Sequence, residues 1–140
     1  MKTLYTAHAT AIAGRAGHAE TDDKKISVDM SPPGSNGPGT NPEQLFACGY
    51  GACFGSAVMA VAKKKQVTVG EVKIQVDVNL NQDDDGGYFL SATLNATIGG
   101  VDDATAKDLV ETAHHVCPYS KATRGNIEVT LNANGQKATA

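Results

Sequence analysis

The scarce reactive side chains of this 140-residue chain are three cysteines and two arginines: Cys48, Cys53, Cys117, Arg15 and Arg124. A thiol attacks only as its thiolate, and a free cysteine is only about a few per cent thiolate at neutral pH. Cys48 and Cys53 fall in one segment that reads as helix. Five helical positions set their Cα atoms roughly 8–9 Å apart and about 140° round the axis. A disulfide reaches only ~7 Å between Cα atoms, so on a regular helix these two are not partners. Cys53 and Cys117 fall on separate elements, and their geometry is free. A bridge closing that long loop would be worth roughly 4 kcal/mol in the chain-entropy model. A structural disulfide and a redox pair that forms and breaks both remain open.

Cys53 stands about three turns inside its helix, past the reach of the N-terminal dipole. Its apolar neighbours raise a thiol pKa. If Cys53 is catalytic it therefore needs a cation, and Arg15 and Arg124 are the candidates. A buried arginine needs a carboxylate in turn, and Glu43 is the only acid on the Cys53 helix. The plainer alternative is an inert buried cysteine and a surface arginine. Cys117 closes a second helix, where the dipole disfavours negative charge. That suits a resolving thiol better than an attacking one.

Composition bounds the setting. Three cysteines are too few for a secreted disulfide scaffold. The N-terminal MKTLYTAHATAIAG lacks the apolar run of about 7–15 residues that a secretory signal needs. The expected compartment is a reducing cytoplasm. A single domain over residues 1–140 is expected at this length. Aromatics are 5% with no Trp, and the formal charge is −3 without a basic stripe, so nucleic acid is not the expected partner. Lys24–Lys25 and Lys63–Lys65 read as solvated surface. Gln44 to Ala62 carries no charge. A membrane span needs about 20 apolar residues, but Gly49, Gly51, Gly55 and Ser56 interrupt this one. It reads as a helix inside a globular protein, with Gly51 and Gly55 letting a neighbouring backbone approach.

The elements that position these residues follow from periodicity. Leu4–Ile12 reads as a strand, Ala13–Gly17 as a turn, and Ile26, Val28 and Met30 as a half-buried strand. The Pro- and Gly-rich loop SPPGSNGPGTNP leads to a helix start, with Asn41 or Thr40 as cap and Pro42 in the first position. The helix runs to about Lys64 and is apolar or small on nearly all sides, the pattern of a helix covered all round. Val72, Ile74, Val76, Val78 and Leu80 alternate with polar residues. Leu90 to Ile98 returns antiparallel after the turn at 82–87. Asp102 or Asp103 caps a second helix whose stripe is Ala106, Leu109, Val110, Ala113, Val116 and Cys117. Pro118 ends it. Ile127, Val129 and Leu131 form a last strand, and the tail from Asn132 reads as frayed. The order is that of an α+β domain.

At this point the residues resemble a known family. Thr40-Asn41-Pro42-Glu43-Gln44-Leu45-Phe46, Gly49-Tyr50 and Ala52-Cys53-Phe54 resemble the central helix of organic hydroperoxide resistance (Ohr) proteins. Val116-Cys117-Pro118-Tyr119-Ser120 and Ala122-Thr123-Arg124-Gly125-Asn126 resemble that family's second cysteine motif. Gly14-Arg15, Gly17 and Ile26-x-Val28 resemble its N-terminal arginine hairpin. The likeness spans nearly the whole chain in order.

The resemblance implies the OsmC-like fold, with antiparallel sheets wrapped around a central buried helix in an intertwined homodimer and active sites at the dimer interface. It implies a thiol peroxidase in which Cys53 attacks an organic hydroperoxide, Cys117 resolves the product, and Arg15 and Glu43 hold the thiolate. It implies no resident cofactor. The expected reductant is an external dithiol, a dihydrolipoyl group on a lipoylated protein regenerated by dihydrolipoamide dehydrogenase. Neither nucleic acid nor membrane is an expected partner. Two features depart from the family pattern: Ala13 and Ala16 flank Gly14-Arg15 where Gly and Asp are usual, and Asp23-Lys24-Lys25 replaces an Asp-Gly turn. Cys48 stands where a small residue is usual, and reads as a buried packing residue.

Three other readings stay in view. A metal site could draw on Cys53, Cys117, His114 and His115, although the spacing fits no C-x-x-C or H-x-x-x-H pattern. Adjacent histidines on one helix diverge by about 100° and read as charged last-turn residues. A Cys–His hydrolase would need Cys53 beside one of them. A redox sensor would form the same disulfide without turnover.

Overall fold

The computed structural model describes residues 1–140. The chain divides into two compact units, Met1–Leu45 and Phe46–Ala140.

The first unit carries a three-stranded antiparallel sheet: β1 (Ala9–Ile12), β2 (His18–Thr21) and β3 (Ser27–Asp29), in that order. The strand expected from Leu4 begins only at Ala9. A tight 3-10 turn over Gly14–Ala16 joins β1 to β2 and carries Arg15. Gly17 closes this turn, where a Cβ would stand 1.8 Å from the Ile12 carbonyl oxygen. Ala13 and Lys24 take left-handed φ values of 61° and 62°. These are the two turns where the chain departs from the pattern of the family it resembles, and side chains there bear a conformational cost that glycine avoids.

Helix α1 (Pro42–Lys64) starts as its sequence predicts. The Asn41 side chain accepts from the Gln44 backbone N–H at 2.9 Å, an N-cap bond three residues ahead. Asn41, not Thr40, is the cap; the Thr40 hydroxyl donates to the Gln44 side chain instead.

In the second unit, β4 (Val72–Gln82) and β5 (Tyr88–Ile98) form a long antiparallel hairpin, in register from Val72 opposite Ile98 to Gln82 opposite Tyr88. Helix α2 (Asp103–Val116) is capped by Asp102, which accepts from the Thr105 N–H at 2.8 Å. Pro118 stops α2 but also occupies the first turn of a further short helix, α3 (Pro118–Thr123), which the sequence reading missed. β6 (Val129–Ala133) then lies parallel to β5, and β7 (Gln136–Ala138) returns antiparallel along β6. The tail from Asn132 is therefore not frayed: the Asn134-Gly135 turn, both at positive φ, closes a hairpin.

One face of this sheet, α1 and α2 enclose a core that includes Tyr50, Phe54, Val58, Leu94, Ile98, Leu109, Val110 and Leu131. The helix lies close on β4. A Cβ at Gly51 would stand 3.3 Å from Val76 and one at Gly55 3.4 Å from Ile74. Two expectations change here. Within one chain α1 is covered on one face only; Cys48, Ala52, Ser56, Met59 and Ala60 are exposed. Cys48 is thus not a buried packing residue of its own chain. α1 is long and apolar enough to cross a membrane by length and composition, but its covered face packs as a core helix does. The α2 stripe also shifts at its end: Val116 is exposed, and His114 takes the buried place.

Candidate functional site

The thiols meet where α1 passes the corner between α2 and α3. Cys53 is half-buried on α1, and Cys117 is fully buried at the corner. Their sulfurs are 3.4 Å apart, and both are free thiols. That distance is a contact across which a bond can form with a small shift. Cys117 serves both as the C-cap of α2 and as the N-cap of α3. The dipole of α2 disfavours charge on it, as expected, but α3 opens in the opposite sense at the same residue.

Burial pushes the Cys53 thiol above its ordinary pKa, and the neighbouring Cys117 adds to the rise. The Tyr119 backbone N–H donates to the Cys53 sulfur and works against both. This donor escaped the sequence reading. The only signal for it was a Cys-Pro pair that can open a helix.

In the first unit, Arg15 and Glu43 form a two-point fork. Nη1 donates to Oε2 at 2.8 Å and Nη2 to Oε1 at 2.6 Å. Planar guanidinium and carboxylate match at both ends, a geometry that lysine cannot copy. The hydrogen bond to Arg15 holds the Glu43 carboxyl below its usual range, and Glu43 in turn raises Arg15. The lone acid on α1 marked Glu43, composition left Arg15 and Arg124 as alternatives, and the family resemblance implied Arg15.

Arg124 takes a different place. Its Nη1 donates to the His114 carbonyl and so satisfies an acceptor in the last turn of α2. His114 does not behave as a charged last-turn residue. Burial first, then Arg124 and His115, lower its pKa and favour the neutral ring. Its Nδ1 lies 2.9 Å from the Ser120 hydroxyl. No three His, Cys, Asp or Glu side chains gather as a ligand set.

Pro118 and Tyr119, which follow Cys117 in the chain, line an apolar groove of about 680 Å³ together with Phe46, Phe89, Leu90, Ala122 and Ile127 among others. The Tyr119 ring packs against Tyr50 and Phe46, with centroids 5.7 and 6.1 Å away. Gly49 leaves room for it, since a Cβ there would stand 2.7 Å from the Tyr119 hydroxyl.

Residues 34–132 match the family model of OsmC-like proteins. The chain is 50% identical to the organic hydroperoxide resistance protein of Xanthomonas axonopodis pv. citri (strain 306) over 135 residues, 93% of this chain and 94% of the relative. It belongs to the organic hydroperoxide resistance (Ohr) branch of the OsmC-like family. The Bacillus subtilis (strain 168) protein OhrB is 46% identical over 132 residues, 91% of this chain and 96% of that one. The crystal structure of Bacillus subtilis OhrB superimposes with a TM-score of 0.88 at 45% identity, covering 93% of this Ohr chain and 98% of the other. An organic hydroperoxide resistance protein from Legionella pneumophila gives 0.89 at 44% identity, covering 94% and 98%. The α+β architecture and the OsmC-like fold expected from the motifs are thus shown.

Proposed function

We propose that this Ohr chain is a thiol peroxidase that reduces organic hydroperoxides to alcohols. The observation that carries this reading is the 3.4 Å approach of two free thiols, one half-buried and one fully buried, with the Pro118 and Tyr119 that follow Cys117 lining an apolar groove. The Cys53 thiolate attacks the terminal oxygen of ROOH. The O–O bond breaks, an S–OH bond forms, and the alkoxide takes a proton and leaves as ROH. Cys117 then attacks the sulfenic sulfur. The S–S bond forms, and hydroxide departs as water with the Cys117 proton. An external dithiol opens the bridge by exchange and is itself oxidised to a disulfide. The groove favours alkyl and fatty-acyl chains over hydrogen peroxide. By family resemblance the dithiol is a dihydrolipoyl group on a carrier protein, regenerated by dihydrolipoamide dehydrogenase, in a reducing cytoplasm.

Because burial raises the Cys53 thiol, the thiolate needs a cation. Arg15, fixed by Glu43, is our candidate, and its guanidinium can also polarise the leaving oxygen. Glu43 and Cys53 are ten positions apart on α1, about 15 Å of helix rise. We therefore assign the cation that meets each thiol to a second copy in an intertwined homodimer. The uncovered face of α1, from Cys48 to Ala60, is what such a copy would cover.

The test is a peroxidase assay on tert-butyl hydroperoxide with dihydrolipoamide, thioredoxin and glutathione as alternative reductants. Turnover is expected with dihydrolipoamide and is abolished in Cys53→Ser. Wild-type turnover in that variant, or none with any reductant, would refute the assignment.

A further inference from the structure

The thiols are not the sole link between α1 and the α2–α3 corner. Tyr50 precedes Cys53 by three positions, so the two share a side of the helix. Ser120 follows Cys117 by three. The Tyr50 hydroxyl lies 2.9 Å from the Ser120 hydroxyl and 3.0 Å from that of Thr123. His114 Nδ1 reaches the same Ser120 oxygen at 2.9 Å. The Thr123 hydroxyl also donates to the Ser120 carbonyl, at 3.2 Å. Tyr50 and Ser120 are fully buried, and His114 and Thr123 nearly so. Polar groups at such depth are costly unless every one is partnered, and here none is left over. Apolar side chains of similar shape would fill the same space with little loss of stability. What hydroxyls add there is direction: one fixed orientation of α3 against α1.

We propose that Tyr50 is a positioning residue for the resolving step: through Ser120 it fixes the start of α3, and with it Cys117, within striking distance of Cys53. The inference rests on the two-thiol chemistry above and adds a residue to it. Bond formation must bring the sulfurs from 3.4 Å to about 2.05 Å. A corner tied to α1 three residues beyond Cys117 confines that closure to a short path. An untied corner lets the buried thiol sample positions from which attack along the bond to the leaving group fails.

The experiment separates attack on Cys53 from closure by Cys117, in a Cys48→Ser background that removes the exposed thiol. Under 5,5′-dithiobis(2-nitrobenzoate), Cys53 releases one thionitrobenzoate on attack, and Cys117 releases the second by intramolecular displacement. Tyr50→Phe keeps the ring and removes one hydroxyl. It is expected to slow the second release about five- to tenfold while the first stays within about twofold. Ser120→Ala is expected to slow the same phase, and the double variant to be slowed by less than the product of the two single effects, since both variants lose the Tyr50–Ser120 bond. A second release at wild-type rate in Tyr50→Phe, or additive slowing in the double variant, would overturn the proposal. The probe is a disulfide, not a peroxide. A failed peroxidase reading therefore shows separately, as wild-type protein that closes its thiols with this reagent yet leaves tert-butyl hydroperoxide unconsumed.

Discussion

Arg15 and Glu43 meet end to end, two parallel N–H···O bonds of 2.8 and 2.6 Å joining residues 28 positions apart. Arg15→Lys keeps the charge and loses the fork. Peroxide reduction by this variant is expected to fall roughly a hundredfold, as when a donor aimed at a developing charge is removed. Single-turnover consumption of tert-butyl hydroperoxide measures it, with far-UV dichroism checking the fold.

The same pair has an acid signature. Glu43 is held below its ordinary pKa by its hydrogen bond to Arg15. The folded state thus binds that proton less readily than the unfolded state. The pair's contribution to stability is fully present above the usual glutamate range and is lost as pH falls through the lower, folded pKa. Urea midpoints between neutral and acid pH should fall less steeply in Glu43→Gln than in the wild type. Equal slopes would mean that the pair does not stabilise the fold.

Cys53 supplies a test at the other end of the scale. Its thiol is raised by burial, so the thiolate fraction, and with it the rate of peroxide attack, climbs with pH. If Arg15 is the cation that counters burial, Arg15→Met moves the alkaline limb of the rate profile further up. Thiolate absorbance at 240 nm, followed in a chain whose only cysteine is Cys53, reports the same midpoint directly.

A pair of sulfurs at 3.4 Å and a third cysteine out on an exposed helix face predict a single bridge. After one equivalent of peroxide, non-reducing peptide mapping should find Cys53 joined to Cys117 and Cys48 free. In Cys117→Ser, a dimedone adduct should accumulate on Cys53. Adduct on Cys48 would reverse the roles.

The Arg15 turn offers a stability test. Ala13 sits at φ 61°. Ala13→Gly relieves a left-handed side chain at some cost in chain entropy and should stabilise by about 0.5–1 kcal/mol. Gly17→Ala does the reverse, since its Cβ would overlap the Ile12 carbonyl; it should disorder the turn and cost peroxide activity along with stability. Denaturant midpoints and the peroxide assay together read both.

The local signals in the sequence served well. Asn41 and Asp102 each cap the helix they precede, and the alternation from Val72 to Ile98 is one long hairpin, because caps and period-two patterns act over a few residues. α3 stayed hidden because Pro118 ends one helix and starts another. β7 went unseen although Asn134-Gly135 is a strong hairpin turn, the polar tail having obscured it. At the site, scarcity drew attention to the cysteines and arginines, and the family resemblance singled out Cys53, Cys117, Arg15 and Glu43. The Tyr50–Ser120 link and the Tyr119 N–H had no such marker, since a tyrosine on an apolar helix reads as packing and a backbone donor leaves no trace in composition. The exposure of Cys48 depends on what covers α1, which the pattern of one chain does not contain.

The parallel pairing of β5 with β6 sets an order of events during synthesis. Parallel neighbours need a long crossover, and this one carries α2, α3 and Cys117 between them. On the ribosome Cys53 emerges 64 residues ahead of Cys117, so for that interval the resolving thiol is not yet made. A nascent chain that meets peroxide in that interval can oxidise Cys53 with no resolving thiol in place, and its exits are a foreign thiol or irreversible sulfinic acid. On the proposed function, the oxidant that the finished protein removes is thus a hazard to its own assembly.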